Sequence, residues 1–177
     1  MQLPEPAREA GVIVPVYRAQ DGALHLLLLR RSSRGIHGGQ IALPGGKREP
    51  GDASILHTAL RETHEEIGIA AECIQILADL PPADTLTTGF TVHPFLGKIM
   101  NASGCRPAEE EVEEIFHVPV AELAKPEAHG RGLQEFLTWP EPREVPFIRL
   151  GAHRIWGLTY RILHPLIPRL LAGEWDL

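Results

Sequence analysis

Arg61-Glu62-Thr63-His64-Glu65-Glu66-Ile67-Gly68-Ile69 is the stretch on which the reading of this chain turns. At about 100° per residue, Glu62, Glu65 and Glu66 fall within roughly one quadrant of a helix. Leu56, Ala59, Leu60, Thr63 and Ile67 form the adjacent, mainly apolar stripe, able to pack on a sheet. The helix is predicted over residues 54–67, with Asp52 or Ser54 as N-cap and Gly68 placed to end it. One side is anchored while the next presents three carboxylates.

Like charges on one helix face repel each other unless cations neutralise them. Hard divalent cations such as Mg²⁺ or Mn²⁺ take oxygen ligands of this type, usually together with substrate phosphates. Arg61 sits one turn before Glu65 and is expected to fix it through an i,i+4 pair. A Glu-rich face alone is most often merely solvated. The upstream context reverses that reading, because Gly45-Gly46-Lys47 lies just ahead of Asp52 and leads into the same helix. Glycines let backbone groups come close to a metal or a phosphate. A tight loop feeding a carboxylate-bearing helix suits metal-assisted phosphoryl chemistry.

Outward from this segment, residues 11–17 and 24–29 read as buried strands joined by a turn at Gln20-Asp21-Gly22. A Gly-rich polar loop spans residues 31–40, and Ile41-Ala42-Leu43 enters Pro44-Gly45-Gly46. Further strands are predicted at residues 73–80, 90–100, 115–118, 135–139 and 145–150. Residues 154–171 read as a helix disturbed at Pro165 and Pro168. Strands mixed with two or three helices imply an α/β protein whose helices cover a mixed sheet.

The 177 residues fit one domain, residues 1–177, with neither repeat nor long linker. An apolar share of 44% with 23% charged residues is that of a globular chain and excludes disorder. The net charge of -6 disfavours nucleic acid as a partner but leaves room for a small phosphorylated substrate held by a few local cations. No apolar run reaches the ~20 residues a membrane span needs. The first six residues lack the plan of a signal peptide. Cys73 and Cys105 are too few for a disulfide framework, so the expected compartment is the cytoplasm. Monomer and homodimer both remain open.

Gly46, five residues, Asp52, eight residues, then Arg61 to Ile69 resembles the Nudix box. Asp52 stands where that box usually has Glu, one extra residue precedes Arg61, and Thr63 replaces an aliphatic residue. The segments around Leu27-Leu28-Leu29-Arg30-Arg31-Ser32 and His37-Gly38-Gly39-Gln40-Ile41-Ala42-Leu43-Pro44-Gly45-Gly46 are similar to the upstream signature of the coenzyme A pyrophosphatases within this group. In that branch the Asp and the extra residue are usual. Gly89-Phe90-Thr91-Val92-His93-Pro94-Phe95 and Ile155-Trp156-Gly157-Leu158-Thr159 resemble it too. The loop between Ser32 and Gly39 is one residue short, the signature's internal Arg is absent or displaced onto Arg34, and Leu43 stands where Phe is typical.

The resemblance implies a Nudix-type α/β/α sandwich with a central mixed sheet flanked by helices. It also implies hydrolysis of coenzyme A or a derivative to 3'-phosphoadenosine 5'-phosphate and a 4'-phosphopantetheine compound, with Mg²⁺ or Mn²⁺. Glu62 and Glu66 are the expected principal metal ligands, with Glu65 a further ligand or a group supporting them, and the carbonyl of Gly46 in addition. Glu65, Glu66 or a carboxylate among residues 109–114, with Glu111 preferred by resemblance, would act as general base. Arg30, Arg31, Arg34, Lys47 and Arg48 are candidate phosphate-binding cations. His37 and Gln40 are either ligand contacts or loop-fixing groups, and Trp156 is expected in the core. The rival readings are a Nudix hydrolase for ADP-ribose, a dinucleoside polyphosphate, a nucleotide sugar or an oxidised nucleotide, and a Nudix-fold binding module without catalysis.

Overall fold

The computed structural model describes residues 8–177; the N-terminal residues read for a signal peptide lie outside them. In chain order the strands and helices are β1 (Arg8–Arg18), β2 (Leu24–Arg31), β3 (Ile41–Ala42), β4 (Gly45–Lys47) and α1 (Ile55–Ile67). There follow β5 (Ile74–Asp79), β6 (Ala83–Asp84), β7 (Phe90–Ile99), β8 (Val112–Pro119) and α2 (Val120–Ala124). The chain ends with β9 (His129–Gln134), β10 (Arg143–Leu150), β11 (His153–Ile155) and α3 (Gly157–Leu171).

The main sheet runs β3-β2-β1-β7-β5, with β8 also on β2, β4 on β1 and β6 on β7. β1 and β7 are parallel and the other pairings antiparallel, so the sheet is mixed as expected. The apolar run Leu26-Leu27-Leu28-Leu29 explains why both faces must be covered. Leu26 and Leu28 join a core with Val14, Val16, Leu163 and Leu166. Leu27 and Leu29 point the other way, into a core with Ile13, Ala59 and Ile67. A strand buried on both faces reads as a continuous apolar run. Here α3 supplies the cover on one side and α1 on the other, which gives the α/β/α layering.

α1 lies close against β1 because Gly11 leaves room for it: a Cβ there would stand 2.6 Å from the carbonyl oxygen of Ile55. In α3 the two prolines are tolerated because Pro165 and Pro168 are exposed, where water can reach the carbonyls they leave unpaired. Its buried face is Ile162, Leu163, Leu166, Ile167 and Leu170.

Two expectations need correction. Residues 135–139 are not a strand; they belong to the connection between β9 and β10, where Trp139 N–H donates to the Phe136 carbonyl at 2.9 Å. The strand lies just before, in His129–Gln134, a segment that includes two glycines. Gly130 and Gly132 sit under the ring of Phe147 on β10, and a Cβ at Gly130 would stand 2.8 Å from that ring. Cross-strand aromatic packing thus offsets the low strand propensity of glycine. The helix at the C-terminus also starts later than expected, since His153–Ile155 pairs with β10 instead.

Candidate active site

Ser54 caps α1, its hydroxyl accepting the His57 N–H at 3.0 Å, and Gly68 ends the helix in the left-handed conformation at φ 74°. Thr63 tolerates full burial because its hydroxyl donates to the Ala59 carbonyl at 2.7 Å. With the helix fixed at both ends and along its buried stripe, Glu62 and Glu66 are aimed at the loop carrying Gly45 and Gly46. Glu66 is only 4% exposed and accepts the Gly45 N–H at 2.8 Å. Burial pushes its carboxyl up to about 8, against the opposing pull of that N–H and of Arg31. Burial raises the Glu62 carboxyl as well, and the nearby Arg61 lowers it in part.

Two partly desolvated carboxylates beside glycine backbone fit a divalent cation in their donor chemistry. The fit extends to the glycine. A Cβ on Gly46 would lie 2.5 Å from Glu62 Cδ and 2.6 Å from its Oε1, so only a residue without a side chain admits the carboxylate here. Among the described residues no three acidic, His or Cys side chains already form a closed metal cage. Gly46→Ala is expected to displace Glu62 and lower kcat by about a hundredfold, with the circular dichroism spectrum unchanged. Steady-state rates with Mg²⁺ measure it; an undiminished kcat would remove Gly46 and Glu62 from the site.

The sequence reading gave Arg61 one partner, Glu65, and that pair is present at 3.3 Å. The guanidinium does more. Its Nε and Nη2 donate to the two oxygens of Asp52 at 2.8 and 3.0 Å, Nη2 reaches the Lys47 carbonyl at 3.3 Å, and Nη1 donates to Glu62 at 3.2 Å. Asp52 also accepts from Thr58 Oγ1 at 2.8 Å and from the Glu49 N–H at 2.9 Å. Arg61 and these donors hold the Asp52 carboxyl well below the usual carboxylate range. Asp52 is therefore no helix cap; it clamps the glycine loop to α1.

Glu62 and Glu66 open on a cavity of about 670 Å³, within the usual range for small-molecule sites. Gly46, Lys47, Arg31, Arg34, His37, Gln40 and Glu111 also line it. The conserved-family model that matches this chain is that of the NUDIX domain, over residues 7–140. The chain belongs to the Nudix family. An uncharacterised Nudix hydrolase, NudL, of Enterobacter sp. (strain 638) is 34% identical over 90% of this chain and 81% of its own length. The mitochondrial coenzyme A diphosphatase of Homo sapiens is 36% identical over 94% of this chain and 71% of its own. The crystal structure of a MutT/nudix family protein from Enterococcus faecalis superimposes with a TM-score of 0.62 at 19% identity, covering 98% of this chain and 65% of that one, which bears on the fold alone.

Within this Nudix hydrolase, three of the expected site residues stand apart from the cavity. Arg30 is turned to β8, with Nη1 3.0 Å from Glu113 and Nη2 3.4 Å from Glu114. Arg48 pairs with Glu9 at 3.1 Å. Glu65 is exposed, held by Arg61, and does not line the cavity. His37 Nδ1 lies 3.3 Å from Gln40 Oε1, so these two brace the loop that carries Arg31 and Arg34 as well as facing the cavity. Trp156 lines the cavity instead of the core, together with Phe136 and Trp139, which sequence reasoning did not select. Phe90 was quoted for the resemblance alone; Lys47 Nζ stands 5.3 Å from its ring centroid.

Proposed function

We propose that this Nudix hydrolase cleaves the diphosphate linkage of coenzyme A or a derivative, releasing 3'-phosphoadenosine 5'-phosphate and 4'-phosphopantetheine or its acyl form. The observation that carries the reading is the meeting, in the lining of one cavity, of the half-buried Glu62 and the buried Glu66 with Arg31, Arg34 and Lys47. Similarity to the human coenzyme A diphosphatase over 94% of this chain supports the choice of substrate.

Glu62, Glu66 and the carbonyl of Gly46 would hold Mg²⁺ or Mn²⁺. Such an ion supplies Lewis-acid charge at the phosphate oxygens and a lowered pKa for water. Arg31, Arg34 and Lys47 bind and orient the diphosphate and the additional 3'-phosphate; a guanidinium can do so bidentately. Glu111, on the cavity rim, accepts the proton of the attacking water, while Glu65 and Arg61 keep Glu62 in place. One phosphoanhydride P–O bond is replaced by a P–O bond from water, and each product leaves as a phosphomonoester. The whole chain of 177 residues acts as one domain in this scheme.

The test is product identification after incubation with coenzyme A, dephospho-coenzyme A, ADP-ribose and a dinucleoside polyphosphate, each with Mg²⁺ or Mn²⁺. Coenzyme A is expected to give the highest kcat/KM, dephospho-coenzyme A about tenfold less through loss of a charged contact, and chelation by EDTA no turnover. A preference for ADP-ribose or the dinucleoside polyphosphate would reassign the substrate.

A further inference from the structure

We infer that Phe136, Trp139 and Trp156 form the seat of the substrate's nucleobase, with Trp139 donating its indole N–H to the base. This rests on the diphosphatase reading of the cavity and adds which half of the substrate lies where.

The three rings pack edge to face around one another, with centroids 5.7 to 5.8 Å apart, and all three line the cavity. They come from two segments on either side of the β10–β11 hairpin, the β9–β10 connection and the residue ahead of α3, which the fold brings together. An aromatic corner that merely filled a core would leave no polar group over. Here Trp139 Nε1 is buried and has no hydrogen-bond partner. A buried indole N–H normally finds an acceptor, and leaving it unpaired is unfavourable. The nitrogen has almost no exposed surface, so an acceptor on a bound ligand would resolve it with a turn of the ring that admits it.

Three features favour a base over the pantetheine arm. Planar heteroaromatic rings stack on indole and phenyl faces, while a flexible amide chain gains less and loses more entropy on ordering. Purine ring nitrogens are acceptors placed at a ring edge, which suits an indole N–H. The corner is joined to the cationic loop, since the His37 ring lies 5.3 Å from that of Phe136. A nucleoside held here has its phosphates beside Arg31 and Arg34. The roles within the corner also separate. The Arg143 guanidinium lies 4.9 Å from the centroid of Trp139 and does not line the cavity. Trp139 therefore presents its edge to the ligand, and Trp156 and Phe136 offer the faces.

Two of the three tryptophans of the chain sit in this corner, which gives a direct readout. The Mg²⁺-loaded protein is titrated with adenosine 3',5'-bisphosphate, which has no diphosphate to cleave, and separately with 4'-phosphopantetheine and inorganic phosphate. Adenosine 3',5'-bisphosphate is expected to quench the fluorescence and the other two to leave it unchanged. Trp139→Phe keeps a ring and removes the donor, and should weaken binding about tenfold. Trp156→Leu should weaken it by about tenfold or more, with Trp156→Phe recovering most of the loss. For hydrolysis, Trp139→Phe should raise KM with kcat little changed, the pattern of lost uniform binding. Quenching by 4'-phosphopantetheine alone, or unaltered affinity in both folded Trp139→Phe and Trp156→Leu, overturns the assignment. If adenosine 3',5'-bisphosphate binds through the corner while coenzyme A goes uncleaved, the substrate reading falls and the base seat stands. If coenzyme A is cleaved and the variants bind as before, the reverse holds.

Discussion

Glu66→Gln is expected to lower kcat by about a thousandfold while leaving the metal-free protein as stable as the parent, or more so. A ligand oxygen charge contributes several kcal/mol to stabilising a phosphoryl transition state through the bound cation, and each 1.36 kcal/mol is tenfold in rate. The amide has nearly the volume of the acid and keeps an oxygen to accept the Gly45 N–H, now bonded at 2.8 Å. What it removes is a carboxyl that burial raises to about 8.

The sign of the stability effect follows from linkage. In the unfolded chain this carboxyl titrates near its ordinary value of about 4.3. Between that value and about 8 the folded, metal-free protein retains a proton that the unfolded chain has lost. The contribution of Glu66 to stability is therefore full below pH ~4.3 and falls as pH rises towards 8, by an amount on the order of a few kcal/mol. Glu66→Gln lacks this dependence. Melting temperatures of the chelated proteins at pH 5 and 8.5 should show a larger fall for the parent. Added Mg²⁺ or Mn²⁺ should then raise the parent's melting temperature and not the variant's, because a cation that binds only the folded state stabilises it. A variant that keeps near-normal kcat would remove Glu66 from the metal centre.

The parts of the molecule legible in the sequence are those whose cause is local. The α1 segment carried its cap, its end and its apolar stripe within residues 54–68, and the structure has Ser54, Gly68 and the stripe in those places. The leucine run of β2 announced a buried strand, though not what covers it. The losses share a different cause. The strand at His129–Gln134 is not among those expected, because what compensates Gly130 and Gly132, the ring of Phe147, comes from another strand. Arg30 is a candidate phosphate contact by sequence because nothing local shows that Glu113 and Glu114, on the adjacent strand β8, pair with it. The aromatic corner joins residues 136, 139 and 156, which no periodicity relates. A motif spaced along one helix survives the passage to three dimensions; a site assembled across elements becomes visible only there.

The clearest instance is Asp52, nine residues from Arg61 in sequence and bonded to it through both oxygens. Asp52→Asn is expected to lower the melting temperature at pH 7 by on the order of 10 °C and kcat/KM by about a hundredfold. The Asp52 side chain is 3% exposed, so its replacement leaves the Arg61 guanidinium partly buried without its main counter-charge. Arg61 would then be free to swing towards Glu62 and Glu65, drawing Glu62 from its place against Gly46 and loosening the Lys47 carbonyl that it also holds. The pH dependence runs opposite to that of Glu66. Arg61 keeps the folded Asp52 carboxyl far below the value of about 3.9 in the unfolded chain, so its contribution is present above pH ~4 and lost as pH falls below it. The gap in melting temperature between parent and Asp52→Asn should accordingly be wide at pH 7 and narrow at pH 3. Arg61→Met should lose comparable stability, and the double variant less than the sum of the two, since one interaction is removed in each. Equal melting temperatures for parent and Asp52→Asn at pH 7 would mean that the glycine loop is held against α1 by packing alone.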